Sequence, residues 1–144
     1  MQNFQFRALE HDRDLLHCFP LIQELRPHLT DATAFVAQVH RQAKQGYRVL
    51  AALHDDVVQG LAGYRLQENL LYGPFLYVDD LITTADARSH GVGAALLTAL
   101  RDEARRQGCA HFVLDTGLAN ALGQRFYYRQ GLLAKGLHFC QPLC

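Results

Sequence analysis

Two short stretches of this chain carry residue types that can do chemistry. Arg88-Ser89-His90-Gly91-Val92-Gly93-Ala94-Ala95 follows an apolar run of strand character and opens an amphipathic segment of helical period. Glycines at 91 and 93 let the backbone come close to a ligand, and a helix's first turn presents unpaired N–H groups at the positive end of its dipole. Such a turn suits a pyrophosphate, with Arg88 adding a charge-assisted contact at the rim. Just upstream, Asp79 and Asp80 interrupt the run Tyr77-Val78-Asp79-Asp80-Leu81-Ile82-Thr83. Burying a carboxylate in a central strand is costly without partners, so the pair are functional candidates, or else two aspartates hydrogen-bonded at a strand bend. Alternation sends strand neighbours to opposite faces, so one aspartate faces a ligand unless a bulge re-aims the other.

The glycine turn has several possible owners. It is not a phosphate-binding loop of the Gly-Lys-Ser/Thr kind, and Leu96 stands where the third glycine of the dinucleotide fingerprint belongs. It lies late in the chain, after a hairpin, whereas that fingerprint sits at a first strand-to-helix turn. A tight turn that only packs a helix on a sheet is the plain alternative.

The elements that must position these residues follow from hydrophobic period. Phe4 to Ala8 alternates as a first strand, and Leu15, Leu16, Phe19, Ile22 and Leu25 recur at helical spacing, with Pro20 predicting a break or offset start. Thr30-Asp31 offers an N-cap for a second helix with Phe35, Val36 and Val39 on one face, stopped by Gly46. Tyr47 to Leu53, a turn at Asp55-Asp56, and Val57 to Leu66 read as an antiparallel hairpin; Gln67-Glu68-Asn69 and Gly73-Pro74 separate it from a central strand, Phe75 to Thr83. Gly91 to Gln107 is the clearest helix, its stripe Val92, Ala95, Leu96, Ala99, Leu100 and Ala104, with Arg101, Asp102, Arg105 and Arg106 toward water. His111 to Asp115 is a short strand parallel to the central one, Asn120 to Arg129 a helix, and Leu132 to Leu143 the last strand or strands. The order indicates one α/β domain over residues 1–144.

Composition limits the partners. Fourteen Lys and Arg balance fourteen Asp and Glu, and no basic run makes a footprint for nucleic acid or anionic lipid. The start, Met1-Gln2-Asn3-Phe4, lacks a leader pattern, and no stretch of about 18 uninterrupted apolar residues occurs, so the expectation is a soluble cytoplasmic protein. Cys18, Cys109, Cys140 and Cys144 have neither zinc-site spacing nor disulfide density and are expected reduced; the eight histidines are scattered, and no metal is expected.

Two blocks together resemble the GNAT superfamily of N-acetyltransferases. One is Arg-x-x-Gly-x-Gly/Ala after an acidic-then-apolar strand, here Arg88 to Gly93 after Tyr77 to Thr83. The other is Asn-x-x-Ala-x-x-aromatic/aliphatic-Tyr-x-x-x-Gly-aliphatic, here Asn120-Ala121-Leu122-Gly123-Gln124-Arg125-Phe126-Tyr127-Tyr128-Arg129-Gln130-Gly131-Leu132, with Gly123 where Ala is usual. The resemblance implies an α/β (α+β) fold: a mixed, mostly antiparallel sheet with one splayed parallel pair and about four flanking helices. It implies acetyl-coenzyme A as donor, its pyrophosphate on the amides of Arg88, Ser89, His90, Gly91, Val92, Gly93 and Ala94. The pantetheine arm would run beside Leu81, Ile82 and Thr83, an N–H near Leu81 or Ile82 polarising the thioester. Asn120 matches the residue that bonds the arm, and as a plain helix N-cap it has a second reading.

Tyr127 aligns with the family's tyrosine beside the sulfur, Tyr128 being the fallback; spacing alone favours core packing for both. Asp79 falls where several members carry a catalytic or substrate-binding acid, which implies an amine anchor or water-mediated base, with Asp80 second. The acceptor pocket is implied at Arg26, His28, Tyr64, Arg65 and Tyr72. The acidic pair suits a cationic amine, Arg26 and Arg65 equally an acceptor bearing a carboxylate, and the sequence does not choose. The expected activity is acetyl transfer to a primary amine of a small molecule or peptide by direct attack in a ternary complex, without metal or a covalent role for Cys109. The other reading is a non-catalytic acyl-coenzyme A sensor. A homodimer is implied, and the run His138 to Leu143 is an edge strand available to a partner.

Overall fold

Strand β1 (Gln5–Ala8) leads into helices α1 (Asp12–Leu25) and α2 (Ala32–Ala43), then strands β2 (Tyr47–His54), β3 (Val57–Asn69) and β4 (Gly73–Thr83). A short 3₁₀ turn (Ala85–Ala87) joins β4 to α3 (Val92–Arg106), and β5 (His111–Leu114) and α4 (Ala121–Arg129) follow. This is a computed structural model describing residues 3–144; Met1 and Gln2, the first residues of the start that lacks a leader pattern, lie outside the described residues. Two compact units divide at Val113 and Leu114.

In the first unit the sheet order is β1-β2-β3-β4-β5, antiparallel through β4, with β5 parallel to it. This is the mixed, mostly antiparallel sheet that the family resemblance implied. Asp55 and Asp56 both take positive φ, the twist a two-residue hairpin turn needs. β3 and β4 pair from Gly60–Thr83 to Asn69–Gly73, so Gln67, Glu68 and Asn69 belong to the strand and are not the expected separator. Helices α1 and α2 cover one face of the sheet: Leu15, Cys18, Leu21, Val36 and Val39 pack with Tyr47, Ala51, Leu53 and Leu61. Helix α3 covers the other face, burying Val92, Leu96, Leu97, Leu100 and Ala104, and Arg101 lies over the Phe112 ring instead of facing water alone.

Pro20 does not break α1, as expected from its missing N–H, but sits inside a continuous helix. Pro20 and Leu16 are both on the exposed side, so the Leu16 carbonyl that loses a donor meets water. Leu16, expected in the core, is accordingly exposed, and Cys18 and Leu21 take its place. Asp31 caps α2 as expected, accepting from the Thr33 and Ala34 amides at 2.9 and 3.3 Å.

In the second unit, α4 is capped by Asn120 and ends at Arg129. The strands expected over Leu132 to Leu143, and with them an edge strand for a partner, do not form. Leu133, Leu137, Phe139 and Leu143 are all exposed, and Gly136 and Pro142 interrupt the run, so no burial compensates the ordering of a strand.

Gly60 lets α3 lie close to β3: a Cβ there would meet Val92 Cγ1 at 2.8 Å, Leu96 Cδ1 at 3.0 Å and the Ile82 carbonyl at 3.1 Å. Gly60→Ala is expected to lower stability by about 1–3 kcal/mol, read as a lower urea midpoint. An unchanged midpoint would mean that α3 is not seated by this contact.

Candidate functional site

The centre of the first unit is an irregularity in β4. Gly63 of β3 faces Asp80, yet the next residue, Tyr64, faces Val78, so Asp79 is an extra residue bulged out of the ladder. A bulge breaks the period of two. Both carboxylates consequently make their bonds with groups on the α1/α2 face, the exception that alternation alone left open.

Each carboxylate has dedicated partners. Arg65, opposite Tyr77 on β3, grips Asp79 in a two-pronged pair, Nε to Oδ2 at 2.9 Å and Nη2 to Oδ1 at 2.8 Å. Arg26, at the end of α1, donates from Nε to Asp80 Oδ1 at 3.0 Å and from Nη2 to the Asp79 carbonyl at 2.7 Å. The Tyr47 hydroxyl donates to the other Asp80 oxygen at 2.7 Å. The Asp79 pairing raises the Arg65 guanidinium further above its ordinary value, first through the hydrogen bonds. Arg65 also lies 5.6 Å from the centre of the Tyr77 ring, a cation–π contact.

Tyr47 and Gly63 carried no functional signal in the sequence, and both are required here. A Cβ on Gly63 would stand 2.0 Å from the Tyr47 hydroxyl and 2.7 Å from Asp80 Oδ2. Only glycine leaves room for that bond.

Of the five residues expected around an acceptor, Arg26 and Arg65 meet at the bulge, and His28 is exposed in the loop just after Arg26. Tyr64 does not join them. It is opposite Arg48 in the ladder and turned to the α3 face, where burial and the Glu103 charge raise its phenol above the ordinary value. The cause is period two: Tyr64 and Arg65 are neighbours on one strand. Tyr72 is also elsewhere, in the β3–β4 turn, its ring 5.4 Å from Phe75 and 5.0 Å from His111. It is seven residues before Asp79, about 23 Å of strand at roughly 3.3 Å per residue.

The glycine turn is built to expose amides. Ser89 and Gly91 take φ of +71° and +84°, and the first α-helical bond of α3 runs from the Ala95 N–H to the Gly91 carbonyl at 2.9 Å. The amides of Val92, Gly93 and Ala94 therefore have no acceptor within the helix. Arg88 and His90 differ from the expectation that every amide from 88 to 94 is available: their N–H groups donate to Ala85 and Ala87 carbonyls in the 3₁₀ turn. A Cβ at Gly91 would meet no atom within 4 Å, so its positive φ and not crowding calls for glycine there. This row of amides without acceptors in the helix fits a pyrophosphate.

Backbone along the second half of β4 is also open on one side. Ala110 N–H donates to the Pro74 carbonyl at 2.8 Å, which sets the start of the parallel pairing, and β5 is only four residues long against eleven in β4. Leu81, Ile82 and Thr83 pair with Ala62, Leu61 and Gly60 of β3 and lie beyond the reach of β5.

In the second unit, Asn120 accepts from the Gly123 amide at 3.0 Å and donates to Thr116 Oγ1 at 3.1 Å, so the N-cap reading holds. A Cβ on residue 123 would come within 2.4 Å of the Asn120 amide nitrogen, which accounts for glycine where alanine is usual. Tyr127 is half-buried, its ring 5.2 Å from Phe126, and burial raises its phenol above the usual range. Tyr128, the fallback, is 55% exposed. Burial lifts the Cys18 thiol to about 11 and also raises Cys109, so neither is an activated nucleophile.

A model of the acetyltransferase (GNAT) family matches residues 11–132. The uncharacterized N-acetyltransferase YhdJ of Bacillus subtilis (strain 168) is 29% identical over 138 residues, covering 95% of this chain and 97% of its own. An IAA acetyltransferase of Azospirillum brasilense is 28% identical over 120 residues, 81% of this chain and 76% of its own. Among solved structures, AAC(6')-Iy in complex with the bisubstrate analog CoA-S-monomethyl-acetylneamine superposes with a TM-score of 0.83 at 19% identity, covering 99% of this chain and all of that one.

Burial, then the Asp80 charge and hydrogen bond, holds the Tyr47 phenol far above the ordinary tyrosine value. The unfolded chain loses this proton near pH 10 while the folded chain keeps it, so Tyr47's share of stability is complete below about pH 10 and falls as pH rises beyond it. Tyr47→Phe is expected to lose about 1–3 kcal/mol at pH near 8 by urea denaturation, because a carboxylate oxygen loses its donor. Its alkaline decline should also be shallower. A decline as steep as in the parent would assign the alkaline loss to other groups.

Proposed function

The chain belongs to the GNAT acetyltransferase family, and from that premise we propose that it transfers the acetyl group of acetyl-coenzyme A to a primary amine of a small molecule or peptide. The observation that carries this reading is the row of outward amides at the start of α3, within the segment that the family model matches. In this reading the amides of Ser89, Gly91, Val92, Gly93 and Ala94 hold the pyrophosphate, and Arg88 adds charge at the rim. The open backbone of Leu81, Ile82 and Thr83 takes the pantetheine arm as an added strand would be taken. One of these amides, near Leu81 or Ile82, polarises the thioester carbonyl.

The thioester supplies an activated acetyl group, which the acceptor attacks directly in a ternary complex. The amine nitrogen forms the new C–N bond, the C–S bond breaks, and the departing thiolate takes a proton. Tyr127 is assigned as its donor, since burial keeps the phenol protonated at neutral pH. Asp79 is held at both oxygens by Arg65, so we assign it and Asp80 to anchoring the amine, whose proton leaves through water. Asn120 orders the start of α4 and keeps one N–H for the arm.

Tyr127→Phe is expected to lower kcat by about 10²-fold or more with coenzyme A affinity nearly unchanged by calorimetry. Unaltered turnover would remove Tyr127 from the donor role. Gly93→Asp separates binding from folding: residue 93 lies in the first turn of α3 without a positive φ, where aspartate suits the helix dipole, so the helix should persist, while its charge repels a pyrophosphate. Coenzyme A binding should be lost with circular dichroism unchanged; normal binding would contradict the cradle. Tight coenzyme A binding with no thiol released by any amine would leave a binding module only.

A further inference from the structure

The bulge sets a choice between two kinds of acceptor that the residue types alone leave open. Two aspartates suit a polycation only if their charges face it uncompensated. Here two arginines cancel them, and each of the four carboxylate oxygens already accepts a donor from Arg26, Arg65 or Tyr47. The arginines are also the outer partners. The Arg26 side chain is 41% exposed against 15% for Asp80, and Arg65 is 28% exposed against 21% for Asp79.

Both arginines spend the same atoms. Their bonds use Nε and Nη2, and among the described residues no hydrogen bond uses Nη1 of either. They also touch the same residue, Arg26 on the Asp79 carbonyl and Arg65 on its carboxylate, so both guanidiniums gather at one residue of β4. Guanidinium edges of this kind recognise carboxylate and phosphate oxygens. Each aspartate oxygen keeps a second lone pair, which an amine N–H can use. His28, exposed in the loop beside Arg26, the buried Tyr47 and the Tyr77 ring under Arg65 bring no fixed negative charge.

We propose that the acceptor is an amine carrying its own anionic group, a carboxylate or a phosphate, which the free edges of Arg26 and Arg65 receive while the amine lies against Asp79 and Asp80. This rests on the acetyl transfer read above. It disfavours polyamines and other polycations, which meet cancelled charges with cations outermost.

The test uses the full chain saturated with coenzyme A and matched pairs of probes. Each common amino acid is compared with its α-carboxamide, and an amino sugar phosphate with the unphosphorylated sugar; the two arms distinguish carboxylate from phosphate. Calorimetry is expected to give at least one anionic member binding about tenfold or more tighter than its neutral counterpart, the scale of one charge-assisted pair. With acetyl-coenzyme A, thiol release should show the same preference in kcat/KM. Arg65→Gln should bring the ratio toward one with coenzyme A binding retained, and Arg65→Lys should restore part of it. The proposal is overturned if no anionic probe binds more tightly than its counterpart, or if spermidine or an aminoglycoside is the better acceptor. The last result would leave acetyl transfer standing. Conversely, an anionic preference in calorimetry without thiol release from any amine would support the arginine site and sink the transferase reading.

Discussion

The arrangement depends on one constraint: two adjacent carboxylates in the middle of a sheet have to be compensated where they stand. Leaving either unpaired would cost several kcal/mol, a large part of the stability of a domain this size. The chain meets the constraint by inserting Asp79 as an extra residue, which brings both carboxylates to the face where cations are within reach. Arg26 comes from the end of α1, Arg65 from β3 and Tyr47 from β2, so the cluster ties three separate elements to β4. Gly63 is the accommodation on the neighbouring strand. Exchange of any one group leaves another partner without its bond, and for that reason the network acts as a unit.

The glycine turn is positioned from the same strand. β4 ends at Thr83, whose neighbour Thr84 donates to the Gln59 carbonyl at 2.9 Å, and the 3₁₀ turn then sets the start of α3. Gly60 brings Val92 and Leu96 against β3, so the first turn of α3 is fixed by core packing and does not depend on a side-chain cap. Gly91 stands at the N-cap with positive φ and no capping hydroxyl or carboxylate. A capping side chain would satisfy the very amides that the turn leaves open to an anion.

Much of this was legible in the residues, and the parts that were not share a physical reason. Period 3.6 located α1, α2 and α3, and strand periodicity β2, β3 and β4, because burial on one face imposes those periods locally. The blocks around Arg88 and Asn120 identified the family. The partners of the aspartates were harder, since a bulge has no local signature: Asp79-Asp80 announces an expensive pair but not its solution. Arg65 stands at the bulge and its neighbour Tyr64 turns to the α3 face for one cause, a face that changes with each residue. Tyr47 was hidden because a strand-starting tyrosine ordinarily means packing. Leu132 to Leu143 has strand-like composition, yet it forms no ladder; composition reports propensity, and pairing requires a partner edge and burial.

The bulge also accounts for a division of β4 that neither glycines nor charges explain. Before residue 79 the strand has β3 on one side and β5 on the other; beyond it only β3 continues alongside. A bulge increases local twist and bends the strand that carries it. One inserted residue thus gathers two carboxylates on one face and bends β4 just before Leu81, Ile82 and Thr83. Polar side chains for an acceptor and unpaired backbone for an extended ligand arise from a single local departure from the ladder, which places them a few residues apart without further design of the fold.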